Sequence, residues 1–308
     1  MIPTPAPTSN LPKLSFTACG WLFNFRISPK VTRPINLPVL STTGSFSILF
    51  FLVSIWGLIE FYQLAEKLGA KPYKVLGIIV GILLFLFSII SNSNYFLFIP
   101  TEAFFSVILV CAFLLFINAL FDSKPNTALN LGYTVLGVVY SVLPFMLLLS
   151  ITCMDKAFTF NNKTENWIND FAPYNFHYVL GIILLIWASD VAAYLVGSFI
   201  GKNKLFERIS PGKTWEGSVG ALIINIGCAF LVANWFPELA LKHWIVISVL
   251  VSIFGTIGDL VESMFKRQAG VKDSGKIMPG HGGILDRFDS LLFVSPFIYA
   301  YLTIVKLF

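Results

Sequence analysis

Eight long apolar runs, near 43–64, 75–91, 103–120, 127–151, 176–200, 218–236, 243–265 and 288–306, leave this chain few ways to fold. A helix needs roughly 17–25 apolar residues to cross the hydrocarbon core of a bilayer. In lipid the backbone must satisfy its own N–H and C=O groups, so only helices and closed barrels can span. These runs are continuous rather than alternating, which excludes a barrel. The expected fold is all-α: a polytopic membrane bundle of about eight spans, or nine if the early segment adds one. The chain is only 12% charged, against about 25% in an ordinary soluble domain.

The basic residues set the orientation. Counted along the chain, the odd-numbered loops between spans carry thirteen Lys and Arg and the even-numbered ones three. Positive charge stays on the cytoplasmic side, so the odd loops belong there. The N-terminal segment disagrees: it holds Lys13, Arg26, Lys30 and Arg33 and no acid, yet eight spans would put it outside. A further early helix would repair this, but "LSFTACGWLFNF" is too short to span alone. Residues 1–42 are therefore read as an N-terminal tail, with no cleavable signal peptide visible. Residues 43–308 are read as one transmembrane domain. The net charge of +5 is scattered among short loops, which argues against nucleic-acid binding. Cys19, Cys111, Cys153 and Cys228 lie far apart and are read as packing residues rather than a disulfide or zinc set.

Chemistry concentrates in 176–308. Acids inside or at the rim of apolar runs are Glu60, Asp190, Asp259 and Glu262. Each needs a partner, a cation, water or the interface. Glu60, near the end of its run, is expected to be an interhelical or rim carboxylate; Asp190 and Asp259 are expected to be functional. In "GDLVESMFKR" the pairs Asp259/Glu262 and Asp259/Ser263 share a helix face. Their oxygens suit a hard cation such as Mg²⁺, or else form a polar seam between helices. Lys266 and Arg267 close that helix.

The polar stretch "KDSGKIMPGHGGILDRFD" then separates two apolar segments. Its glycines, among them Gly282 and Gly283, allow close backbone approach to a ligand, and their N–H groups can cradle phosphate oxygens. Lys272, Lys276 and Arg287 add positive charge. Asp286 and Asp289 share a face at the start of the last helix. His281, flanked by glycines, can donate to a phosphate or contact a base; the other two histidines lie elsewhere in the chain, which argues against zinc. In the fifth loop, Ser210–Pro211 reads as an N-cap followed by Pro at the first helical position, presenting backbone N–H groups and Lys213 to an anion. Trp215 is either an interfacial anchor or a stacking platform.

The stretch "SMFKRQAGVKDSGKIMPGHGGILDRFD", Ser263 to Asp289, resembles the signature of the phosphatidate cytidylyltransferases, or CDP-diacylglycerol synthases. That pattern is S-x-x-K-R-x4-K-D-x5-P-G-H-G-G-x-x-D-R-x-D, and every fixed position is met. "SDVAAYLVGSFIGKNKL" and "SPGKTWEG" resemble a second family region, with Gly212 where the family more often has Lys. "EFYQLAEKLGAKP" is a weaker match. The resemblance implies that CTP and phosphatidate give CDP-diacylglycerol and pyrophosphate with Mg²⁺. It implies Asp259 and Asp286 as metal ligands, with Ser263 beside them. Charge neutralisation would then fall to Lys266, Arg267, Lys272 and Arg287. Asp273 would orient a lysine or bind metal through water, and Asp289 would stand behind the ligands. Also implied are a bacterial inner membrane with the site loops facing the cytoplasm, lipid as a partner and a homodimer. Two rival readings stand beside it: a CTP-dependent lipid kinase of the dolichol-kinase type, whose acceptor is an alcohol, and an ion-coupled transporter with Asp190 and Asp259 as ion sites.

Overall fold

Each apolar run becomes a helix, because an apolar segment with no breaker keeps its backbone bonds inside itself. The computed structural model describes residues 42–92, 101–122, 126–152, 176–275 and 282–307. The readings for residues 1–41, including the tail and any early helix, and those for Lys276 and His281 lie outside the described residues. Cys111 and Cys228 are free thiols; Cys19 and Cys153 lie outside the described residues.

The helices are α1 (Thr42–Lys67), α2 (Lys74–Asn92), α3 (Thr101–Leu120), α4 (Thr127–Gly137), α5 (Leu143–Ile151), α6 (Phe176–Ile200), α7 (Trp215–Trp235), α8 (Leu241–Gln268) and α9 (Leu285–Leu307). Among the described residues, six segments are long and apolar enough to cross a membrane: Ser45–Lys67, Thr127–Ile151, Phe176–Ile200, Trp215–Trp235, Leu241–Gln268 and Leu285–Val305. Lys74–Ile90 and Ser106–Leu120 are shorter apolar helices. The chain is an integral membrane protein of all-α class.

One span is not a regular α-helix. Between α4 and α5 the residues Val138–Val142 form a π-turn, with Pro144 at the start of α5. Proline has no N–H and its ring crowds the carbonyl four residues back; the wider turn absorbs both effects.

The fifth loop departs from the sequence reading. It forms an antiparallel hairpin of β1 (Lys204–Phe206) and β2 (Ser210–Thr214). Ser210 is therefore not a helix cap. Thr214 takes that place, with extended backbone and a side-chain oxygen that accepts from the Gly217 N–H at 3.2 Å. Pro211 sits in a two-stranded ribbon, where its missing donor is tolerated.

The helices α6, α7, α8 and α9 pack in sequence order, and α9 also packs on α5. The core runs through both halves, with Phe61, Tyr62, Phe145, Leu185, Trp244 and Val294 fully or nearly buried. Val191, Leu195 and Ile223 stay exposed, as lipid-facing residues should. Polar contacts link helices within the bundle: Asn225 Nδ2 donates to Ser248 O and to Ser252 Oγ, both at 3.0 Å.

Candidate active site

A cavity of about 710 Å³ opens where α6, β2, α7, α8 and α9 meet. Ile183, Ile186 and Trp187 make one apolar wall from α6. Asp190, Lys213, Asp259, Asp286, Arg287 and Asp289 make the polar side. The two acids expected to be functional from their position in apolar runs, Asp190 and Asp259, therefore face one space.

The acidic heart comes from two adjacent helices. A Cβ on Gly258 would lie 2.6 Å from Phe293 Cβ and 2.8 Å from Asp289 O, so a bare glycine lets α8 and α9 touch there. The close approach sets Asp259 beside Asp289. Glu262, one turn on, joins them: ligand oxygens of Asp259, Glu262 and Asp289 lie within 4.8 Å of one another. Ser263 Oγ donates to Asp259 Oδ1 at 3.2 Å. Three clustered carboxylates of one charge sign fit a hard divalent cation, which prefers oxygen donors.

Asp286 stands beside this group in a different setting. Its Oδ1 accepts from Lys266 Nζ at 2.6 Å. Its Oδ2 accepts from Gly283 N at 2.7 Å, Ser274 N at 2.8 Å and Ser274 Oγ at 3.0 Å. Gly282 has φ +80°, which glycine adopts at no steric cost. A Cβ there would also fall 2.7 Å from Asp286 Oδ2. So Gly282 and Gly283, expected to cradle phosphate, wrap Asp286 here. The pair Asp259/Asp286 that the family resemblance implies and the triad that shares one ion's reach are different sets, with Asp259 common to both.

Cations bracket the acids. Lys213, from β2, is ion-paired with Asp259 and reaches Thr256 O at 3.4 Å. Lys266 bridges Glu262 and Asp286, at 2.6 Å to each. Arg267 turns away and donates to Ile209 O at 3.5 Å, which ties α8 to the hairpin. Ser210 and Gly212 line the cavity from β2, and Arg287 from α9. Lys272 and Asp273 are exposed in the loop after α8, away from the lining described. Trp215 opens α7 and is exposed.

The sequence reading assigned no site role to Ser274, and named Glu262 only as one of the oxygens sharing a helix face with Asp259. Ser274 is buried and touches Asp286 through both its backbone and its side chain. Glu262 had a signal, since it sits three residues after Asp259 and four before Lys266; its carboxylate is 1% exposed and completes the acidic group. Glu60 is a buried interhelical carboxylate, one of the two placements expected for it. Its Oε2 accepts from Leu285 N at 3.0 Å and from Ser274 Oγ at 3.3 Å.

The chain is similar along most of its length to known proteins. Residues 34–305 match the model of the cytidylyltransferase family. A Bacillus subtilis protein named phosphatidate cytidylyltransferase is 33% identical over 260 residues, 82% of this chain and 87% of that protein. Proteins of the same name from Staphylococcus haemolyticus and Staphylococcus saprophyticus are 50% and 51% identical over 124 residues. That alignment covers 40% of this chain and 47% of each relative, so it spans about half of their length. A family match from residue 34 to residue 305, on a bundle that brings Asp286 and Asp289 of the signature to one cavity, means that this chain belongs to the cytidylyltransferase family.

Proposed function

We propose that this chain transfers the cytidylyl group of CTP to phosphatidate, giving CDP-diacylglycerol and pyrophosphate. The observation that carries this reading is the two-sided cavity: an apolar wall on α6 faces clustered carboxylates and Lys213 across one space. A lipid phosphate and a polyphosphate can meet there without the acyl chains leaving an apolar surface.

The chemistry asks for little covalent help. An oxygen of the lipid phosphate attacks the α-phosphorus of CTP, and the bond from that phosphorus to the pyrophosphate oxygen breaks. The nucleophile is already anionic, so no general base is required. The difficulty is bringing two anions together, and catalysis becomes positioning plus charge neutralisation. Asp259, Glu262 and Asp289 are the residues that would hold a Mg²⁺ ion, with Asp286 next to them. Bound there, the ion supplies charge neutralisation for the phosphates. Lys213 and Arg287 line the space in which phosphate oxygens would sit and give them cationic partners. Lys266 holds Asp286 and Glu262 in place.

In this reading the fifth and seventh loops face the cytoplasm of a bacterial inner membrane, where CTP is available, and two copies work as a homodimer. The test is thin-layer detection of CDP-diacylglycerol from purified protein, phosphatidate, labelled CTP and Mg²⁺. Product with phosphatidate and none with a polyprenol alcohol supports the reading. The reverse makes the chain a lipid kinase. Substrate counterflow in liposomes without chemical change makes it a transporter.

A further inference from the structure

Glu60 is a buried carboxylate that the mechanism above does not use. It is 2% exposed and comes from α1, far from the signature in sequence. A carboxylate is buried at a cost unless something holds it. Here Oε2 accepts from Leu285 N, in the first turn of α9, and from Ser274 Oγ. Negative charge is favourable at a helix N-terminus. Ser274 in turn donates to Asp286 Oδ2 from its backbone and its hydroxyl. A continuous path of hydrogen bonds thus runs from α1 through Ser274 to Asp286 at the cavity edge.

The surroundings are shaped to this carboxylate. A Cβ on Gly275 would collide with Glu60 Oε1 and lie 2.7 Å from its Cδ. A Cβ on Gly283 would lie 2.5 Å from Glu60 Oε2. Ser274 has a single hydroxyl proton, so at any moment it donates either to Glu60 or to Asp286. The settings of the two carboxylates are therefore coupled through one side chain.

We infer that Glu60 is a positioning residue for Asp286: it fixes Ser274 and the first turn of α9, and so sets the edge of the acidic cluster without touching substrate. This rests on the cytidylyl-transfer reading for its activity readout. It is independent of that reading for its mechanical one.

The experiment compares the purified full chain with Glu60→Ala, Glu60→Gln, Ser274→Ala, Gly275→Ala and the double variant Glu60→Ala/Ser274→Ala. Two quantities are read: kcat and KM with CTP, phosphatidate and Mg²⁺, and hydrogen exchange of the Leu285–Asp289 amides. In Glu60→Ala, kcat is expected to fall about 10- to 100-fold, the usual loss when a partner standing behind a metal-binding set is removed. KM for phosphatidate should be unchanged. Glu60→Gln, which keeps an oxygen acceptor, should recover most of the rate. Gly275→Ala leaves Glu60 in the chain but displaces its carboxylate, and should copy Glu60→Ala. The double variant should lose no more than the worse single one, as expected for two members of one path. Glu66→Gln, on the exposed face of the same helix in an ion pair with Lys74, should leave activity unchanged.

Parental kcat in Glu60→Ala, or losses that multiply in the double variant, would overturn the inference. If Glu60→Ala does not accumulate in membranes, Glu60→Gln and Gly275→Ala carry the test by the same criteria. If the parent protein makes no CDP-diacylglycerol, it is the functional reading that fails. The exchange data still decide this one: unchanged exchange at Leu285–Asp289 in the displaced-carboxylate variants rejects it, and faster exchange there supports it.

Discussion

Lys266 has the most consequential surroundings of any single residue in the site. It is 12% exposed and lies 2.6 Å from both Glu262 and Asp286, themselves 2% and 11% exposed. Removing the cation leaves two buried carboxylates side by side. Breaking a buried ion pair by deleting one partner costs about 3–5 kcal/mol. Lys266→Met is therefore expected to lower the unfolding temperature in detergent sharply, and Lys266→Met/Glu262→Gln to recover part of it. A single variant as stable as the parent would refute the bridge. Lys213 differs, being 24% exposed on its side chain and paired with an Asp259 that is 34% exposed. A pair that open contributes little to stability, so Lys213→Ala should keep the parental unfolding temperature while lowering turnover. At this scale a charge inside an apolar run was the legible signal, and Asp190 and Asp259, picked out by it, both line the cavity. No such signal marked Ser274. That residue is one serine in a polar loop, and its partner Glu60 lies 214 positions away. No local pattern encodes such a meeting.

Among elements, the contact between α8 and α9 decides the geometry of the acids. Gly258 permits it, because any side chain there would run into Phe293 and Asp289 O. Gly258→Val should push the helices apart, at an overpacking cost of about 1–3 kcal/mol. It should also separate Asp259 from Asp289, so that the Mg²⁺ concentration for half-maximal activity rises along with the loss of stability. Loss of stability with an unchanged Mg²⁺ requirement would show that the acids do not depend on this contact. The helices themselves were readable to within a few residues, since an unbroken apolar run can do little else in lipid. The hairpin was not. Its strands, Lys204–Phe206 and Ser210–Thr214, are three and five residues long, too short to show an alternating pattern. The Ser-Pro pair there looked like a helix start. The true start, capped by Thr214, lies four positions later because Pro211 is accommodated in the ribbon. Thr214→Ala is expected to cost about 1 kcal/mol through loss of that cap, measurable as a small fall in unfolding temperature.

For the whole molecule, the two polar loops that flank the cavity must open on one side of the membrane. Arg267, at the end of α8, already touches Ile209 in the hairpin, so they share an end of the bundle. Single cysteines at Asn203 and Lys272, placed in a chain otherwise free of cysteine, should react with an impermeant maleimide only from the cytoplasmic face. One at Glu238, in the turn between α7 and α8, should react only from the other. Labelling of Asn203→Cys and Glu238→Cys from the same side would overturn the topology. Chelation by EDTA should abolish turnover and excess Mg²⁺ restore it; activity that survives rigorous chelation would remove the metal from the mechanism. The class was legible at this scale; among the described residues six apolar helices are long enough to span and two are shorter. The mixed wall of the cavity was not legible, because it is assembled from five elements that no stretch of sequence brings together.

The fit between Glu60 and the two glycines at 275 and 283 has a practical corollary for anyone recombining this chain with a relative. A crossover placed anywhere between α1 and the last loop swaps one side of that fit and keeps the other. Hybrids should therefore inherit residue 60 and the stretch from 274 to 285 from the same parent, and the front of the protein cannot be treated as an interchangeable membrane anchor.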